Sequence, residues 1–182
     1  PVPWSPDLDF GFLHRLDVPS SGLILCGTTF TGLMVLRWQL DTYRVERQYV
    51  VFGHGLAALG LMEVVANIDP VAVDSRRSFV SDVHGKPART YFKAPAHLQT
   101  PLCRQGRLLD AREFCSAFAI RIRTGRRHQI RAHLLHAGHP TVVDCKYAAK
   151  SAEMGCLASY EQAFLRVGCP GADLLNQEKP LL

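Results

Sequence analysis

The chain has 182 residues, of which 47% are apolar and 20% charged, enough for about one domain with its own buried core. That composition excludes a disordered tail or a fibre, and the richest apolar stretch, Leu56 to Ile68, is too short for a membrane helix and is broken by Gly60 and Glu63. The formal charge of +5 permits a polyanionic partner without demanding one.

Three prolines within residues 1 to 12 mark an irregular lead-in. The apolar run Gly22 to Cys26, after the turn-like Pro19-Ser20-Ser21, predicts a short buried strand. Thr28-Thr29 reads as a helix cap, and Leu33, Leu36 and Leu40 give the segment Phe30 to Tyr43 an amphipathic helical spacing. Arg47 to Phe52 is rich in strand formers and precedes Gly53, Gly55 and Gly60.

His84-Gly85-Lys86-Pro87 is a turn signal, and Ala88 to Phe92 alternates after it. Phe118, Ile120 and Ile122 alternate with Ala119, Arg121 and Arg123, which predicts a half-buried strand with its arginines outward. After Thr124-Gly125 a helix is expected over Arg127 to Ala137, with Ile130 and Leu134 on one stripe and Arg127 and Arg131 on the next; Gly138-His139-Pro140 stops it. Residues 1–150 thus form one patterned domain and 151–182 a weakly patterned remainder. The fold class expected is α+β, a mixed but mostly antiparallel sheet with flanking helices.

Six cysteines at irregular spacings, with no C-x-x-C pair, suit reduced thiols in an intracellular compartment better than a secreted disulfide framework. His128, His133, His136 and His139 invite a zinc reading. On a helix, however, His128 and His133 point about 140° apart, because each residue turns it by ~100°, and no Cys or carboxylate stands at a ligand spacing. No metal site is therefore expected.

Two clusters remain. His14-Arg15-Leu16-Asp17 crowds three ionisable side chains onto a loop, where an arginine beside a carboxylate keeps it ionised; a loop salt bridge satisfies the same residues. Arg121 to Arg131 carries Arg121, Arg123, Arg126, Arg127 and Arg131 with no acid, and leads from a strand through glycine into a helix start. That suits phosphate, and equally a solvated basic face. Tyr49 alone reads as a core tyrosine with one hydroxyl partner.

Together these segments resemble the RluA-type RNA pseudouridine synthases. His14-Arg-Leu-Asp-Val-Pro-Ser-Ser-Gly22 is similar to that family's histidine-arginine-leucine-aspartate signature, and Arg47-Gln-Tyr-Val-Val to its tyrosine-centred strand motif. Gly85-Lys-Pro-Ala-Arg-Thr90 resembles its glycine-lysine-x-alanine-x-threonine segment. Thr124 to Tyr147 resembles its third motif, with the following glycine-histidine-proline and aspartate-x-x-tyrosine. Four motifs in order over residues 12–147 make the match specific.

The resemblance implies isomerisation of uridine in transfer or ribosomal RNA, with no cofactor and no metal. Asp17 matches the essential aspartate, which sequence does not assign to attack on sugar, attack on base or removal of a ribose proton. Arg131 matches the arginine that pairs with it, Tyr49 the tyrosine that stacks on uracil, and Ile130 the apolar residue beneath the base. Arg15 matches the arginine that fills the gap when the nucleotide leaves its stack. Arg121, Arg123, Arg126, Arg127 and His128 would then bind RNA.

Departures are Ser20 for threonine, Arg47 for lysine, Arg127 for threonine and Val143 for glycine. The family's opening strands, with a lysine-proline-x-glycine segment, are expected to be missing, and Gln162 to Val167 is a weak counterpart of its late leucine-histidine-alanine segment. These departures keep a second reading open, a non-catalytic RNA-binding remnant of the fold. The joint presence of Asp17, Tyr49 and Arg131 favours the enzyme.

Overall fold

The computed structural model describes residues 5–70, 77–104, 107–142, 144, 146 and 147, with side chains described outside 100–113. The backbone divides into two compact units, Pro1–Glu46 and Arg47–Leu182.

In the first unit, Ser5 caps a short 3-10 turn over Pro6–Gly11. The helix α1, Phe30–Asp41, begins as expected: Thr29 Oγ1 accepts the Gly32 N–H at 3.1 Å. It ends where Thr42 Oγ1 donates to the Trp38 carbonyl at 2.7 Å. Leu33 is fully buried, whereas Trp38 is half exposed beneath the Arg44 guanidinium, 4.4 Å from the ring centre.

The buried strand expected at Gly22 to Cys26 does not form. Pairing is limited to a single bridge, Phe12 to Cys26, flanked by Leu13 N–H to Leu25 O at 3.1 Å and Gly27 N–H to Gly11 O at 2.8 Å. Leu23 is 95% exposed. A four-residue apolar run carries no period of its own, and without successive ladder bonds it stays a loop.

The second unit is built on a five-stranded sheet of β1 Arg47–His54, β2 Leu61–Asp69, β3 Phe79–Ser81, β4 Lys86–Arg104 and β5 Arg107–Ile122. Their order is β1-β5-β4-β2-β3, and every pair is antiparallel, so among the described residues the sheet has no parallel member. The β4–β5 hairpin slips register between Lys93 and Ala96, where Pro95, which cannot donate to a ladder, is accommodated. Gly85 turns β3 into β4 at φ +90°, with the backbone of Ile68 so close that a Cβ would overlap it.

Cross-strand partners place Tyr49, Ile120, Phe92 and Met62 in one row on one face of the sheet. Phe118 and Phe92 meet edge-to-face at 5.7 Å on this side. The helix α2, Gln129–His136, contributes Leu134 to the same apolar cluster. The helix starts two residues later than expected because His128 adopts a left-handed φ of 55°, which leaves Arg127 in the loop. Gly138, at φ +83°, follows its last turn.

The β2 strand has no counterpart among the sequence expectations, although Met62, Val64, Ala66 and Ile68 alternate with more exposed neighbours. The weakly patterned 151–182 segment, with Gln162 to Val167, and Val143 lie outside the described residues.

Candidate functional site

The first unit holds Arg15 and Asp17 on the irregular loop. Arg15 is exposed and Asp17 half-buried, and the Asp17 carbonyl accepts the Ser20 N–H at 2.8 Å to close a tight turn. His14 Nε2 accepts the Leu25 N–H at 3.2 Å, which ties the two arms of this loop together.

The second unit holds the other candidates. Tyr49 and Ile130 both lie half-buried against one apolar cluster that includes Phe118, Ile120 and Leu134. A strand residue and a helix residue thereby share one hydrophobic surface although 81 positions separate them (130 − 49).

Arg131, one residue further along α2, pairs with Asp144. Its Nε donates to Oδ2 at 2.6 Å and its Nη2 to Oδ1 at 2.7 Å, a side-on fork. Both side chains are almost buried, at 11% and 5% exposure. Asp144 also accepts from Thr141 Oγ1 at 2.7 Å and from the Lys146 and Tyr147 N–H groups at 3.1 and 3.2 Å. Burial alone would push its carboxyl up, but the Arg131 and Thr141 hydrogen bonds, the guanidinium charge and the Lys146 N–H outweigh that and hold it below the usual value.

The Tyr147 ring lies under the same guanidinium, 4.7 Å from its carbon. The Tyr147 hydroxyl donates to the Ser78 carbonyl at 3.0 Å and accepts the Ser78 N–H at 2.7 Å. Its remaining lone pair faces His128 Nδ1 at 3.0 Å, which assigns the imidazole hydrogen to that nitrogen. Burial raises the phenol pKa and keeps it protonated for these bonds.

The arginine run divides. Arg123 and Arg127 are exposed. Arg126 is half-buried, its Nε donating to the Pro87 carbonyl at 3.2 Å. Arg121, expected outward, is half-buried instead, because its guanidinium lies over the Tyr91 ring at 5.6 Å. Arg47, in place of the family lysine, sends Nη2 to the Arg123 carbonyl at 2.5 Å and fills the space beside Gly125 that any Cβ would need.

Sequence reasoning did not single out Gln129. It is buried at the start of α2 and spends both ends of its amide. Oε1 accepts from Thr124 Oγ1 at 2.8 Å and the Arg126 N–H at 3.1 Å, while Nε2 donates to the Arg89 carbonyl and Thr90 Oγ1, each at 3.0 Å. In sequence it stands as the glutamine of the motif over Thr124 to Arg131, a neutral polar residue inside a basic run, with nothing to mark it as buried.

The histidines do not gather: no group of three potential metal ligands occurs among the described residues. His133 is buried against Thr90 and the Ala66 carbonyl, and His139 meets the His54 carbonyl at 3.0 Å.

Residues 7–136 match the RNA pseudouridylate synthase family, and the chain belongs to it. Among curated relatives, it is 31% identical to ribosomal large subunit pseudouridine synthase C of Buchnera aphidicola subsp. Schizaphis graminum, over 76% of this chain and 40% of the relative. It is 29% identical to tRNA pseudouridine synthase C of Yersinia pestis, over 72% of this chain and 50% of the relative. The solved structure of human RNA pseudouridylate synthase domain containing 1 superposes with a TM-score of 0.61 at 22% identity, covering 83% of this chain and 57% of that one. That likeness establishes the fold. The chain spans two fifths to half the length of these curated relatives.

Proposed function

We propose that this chain supplies the catalytic centre of an enzyme that isomerises uridine to pseudouridine in ribosomal or transfer RNA. The family match carries the reading, because the matched residues 7–136 contain Asp17, Tyr49 and Arg131 together. Relatives named for both ribosomal and transfer RNA support RNA as the substrate class, and no described helix is long and apolar enough to cross a membrane.

In this reading the bond from ribose C1′ to uracil N1 breaks and a bond from C1′ to C5 forms. C5 loses a proton and N1 gains one, so the atoms balance without a cofactor. Asp17 is the essential carboxylate and Arg131 its counter-charge. Tyr49 stacks on the base and assists proton removal at C5, and Ile130 packs beneath it. The position of Tyr49 and Ile130 against a common apolar cluster supports that pair of roles. Arg15 fills the vacated stack, as base extrusion requires. Arg121, Arg123, Arg126, Arg127 and His128 contact the RNA backbone, and intracellular RNA is the partner.

The test is pseudouridine mapping in ribosomal RNA and bulk transfer RNA incubated with the purified chain, against Asp17→Asn. New pseudouridine at defined uridines with the parent chain and none with the variant supports the reading. Equal RNA binding by both proteins, with no new pseudouridine from either, replaces it with an RNA-binding remnant.

A further inference from the structure

We infer that Asp144 and Tyr147 are positioning residues that fix the orientation of the Arg131 guanidinium. The inference rests on the reading of Arg131 as the counter-charge of the reacting carboxylate.

Two groups restrain the guanidinium, a carboxylate and an aromatic ring. The side-on fork to Asp144, through Nε and Nη2 at 2.6 and 2.7 Å, fixes it within its plane. The Tyr147 ring, 4.7 Å from the guanidinium carbon, adds a cation–π contact outside that fork. Nη1 takes no part in the Asp144 fork, so the direction of that corner is set by the fork and the ring contact together.

Both restraining groups are themselves over-determined. The Asp144 carboxylate accepts five hydrogen bonds: two from Arg131, one from Thr141 and two from the backbone at Lys146 and Tyr147. The Tyr147 hydroxyl is held by both backbone groups of Ser78 and by His128. His128 immediately precedes α2 and Ser78 immediately precedes β3, so the ring is tied to the helix start and to the sheet.

Stability alone is a poor reason for such an arrangement. Desolvating two charges offsets most of their attraction, and well-packed apolar residues of the same size usually do as well. What the pair does provide is a long cationic side chain whose rotamer freedom is already lost in the folded chain. A substrate-engaged site then loses none of it at the moment of reaction.

The experiment compares the parent chain with Asp144→Asn, Tyr147→Phe and Tyr147→Leu, each studied well below its unfolding temperature. Nitrogen-15 NMR measures water exchange of the Arg131 Nε–H. Single-turnover conversion of saturating bulk transfer RNA and ribosomal RNA gives the chemical rate, and filter binding gives the affinity for the same RNA. Asp144→Asn is expected to speed Nε–H exchange about tenfold and to slow conversion by roughly 10- to 100-fold, with affinity within about twofold, as misplacement of a reacting group does. Tyr147→Phe keeps the ring and is expected to stay within about threefold of the parent rate, whereas Tyr147→Leu follows Asp144→Asn. If Asp144→Asn does not fold, the Tyr147 pair decides.

Unchanged exchange in Asp144→Asn and in Tyr147→Leu overturns the inference, as does faster exchange with an undiminished rate. A rate that falls only in step with RNA affinity overturns it too. A parent chain with no turnover overturns the functional reading instead, and the exchange measurement still decides whether Asp144 and Tyr147 immobilise Arg131.

Discussion

His133 Nδ1 lies 2.8 Å from Thr90 Oγ1, and the same hydroxyl accepts from Gln129 Nε2 at 3.0 Å. The opposite nitrogen of His133 faces the Ala66 carbonyl at 3.3 Å and so carries the ring hydrogen, which makes Thr90 the donor to Nδ1. A continuous buried chain thus runs from β2 through α2 and β4 to Thr124 and Arg126, and it anchors the basic loop to the sheet.

Burial lowers the His133 pKa to about 4; the Ala66 carbonyl bond opposes this and the nearby His136 adds to it. The ring is therefore neutral in the fold, while the unfolded chain takes up a proton near 6.5. The stabilisation is fully present above pH 6.5, is lost as pH falls towards 4, and falls no further below the folded value. The full span is worth about 3 kcal/mol. Asp144 works in a lower window: its folded value is below 3.8, so its contribution is lost only as pH drops through that value. Urea titrations at successive pH values should show stability falling between pH 6.5 and 4, and His133→Asn should flatten that slope. An equal slope in the variant would remove His133 as its source.

Gln129→Leu leaves the Arg89 carbonyl and the Arg126 N–H without their amide partner, along with the Thr90 and Thr124 hydroxyls. Gln129 and Thr90 are buried and the other partners only partly so, and a loss of about 1–3 kcal/mol is expected from urea unfolding. RNA affinity should fall as well, since the loop carrying Arg126 and Arg127 loses its anchor.

Two glycines should respond differently to alanine. Gly85 sits at φ +90° against fixed backbone, so Gly85→Ala is expected to cost about 1–3 kcal/mol. At Gly125 the obstacle is the end of the flexible Arg47 side chain, and the expected cost is below about 1 kcal/mol. Thermal unfolding of the two variants side by side checks the order.

Arg123 and Arg127 are exposed, whereas Arg121 lies over Tyr91. Replacing Arg123 and Arg127 together with alanine should flatten the log–log dependence of RNA affinity on salt by roughly 1.4, about 0.7 for each single-strand phosphate that is no longer neutralised. Arg121→Ala should change that slope less and lower the unfolding temperature instead. Equal slopes for all three proteins would make the run a solvated face.

Local signals carry far in this chain. The Thr29 cap, the alternation at Phe118, Ile120 and Ile122, and the Gly138-His139-Pro140 stop each appear where residue chemistry puts them. Gly22 to Cys26 departs from its expected strand because an apolar run becomes one only if a neighbour offers a ladder, and that is a property of the fold. The left-handed His128 is equally invisible in sequence, since the conformation is uncommon for any non-glycine residue and no local pattern marks which one adopts it. Within the site, Tyr49, Ile130 and Arg131 stand out through motif resemblance. Asp144 is legible as part of a motif but not its bond to Arg131, because a pair thirteen positions apart across a turn has no period to betray it.

The strand order also sets a schedule for assembly. Arg104 and Arg107 pair 3 positions apart (107 − 104), and Ile68 reaches Lys86 over 18 (86 − 68), but Arg47 must find Ile122 across 75 (122 − 47). By sequence separation that is the longest of the three loops, and late docking of β1 onto the β4–β5 hairpin is the expected outcome, which φ-values along β1 check. Tyr49 rides on β1, and residues Phe52 to His54 of the same strand bond to Pro140 and Val142, just ahead of Asp144. The candidate base-stacking side chain and the segment that grips Arg131 would therefore mature in one late kinetic step, so that a folding intermediate made of the central hairpin alone would have neither in place.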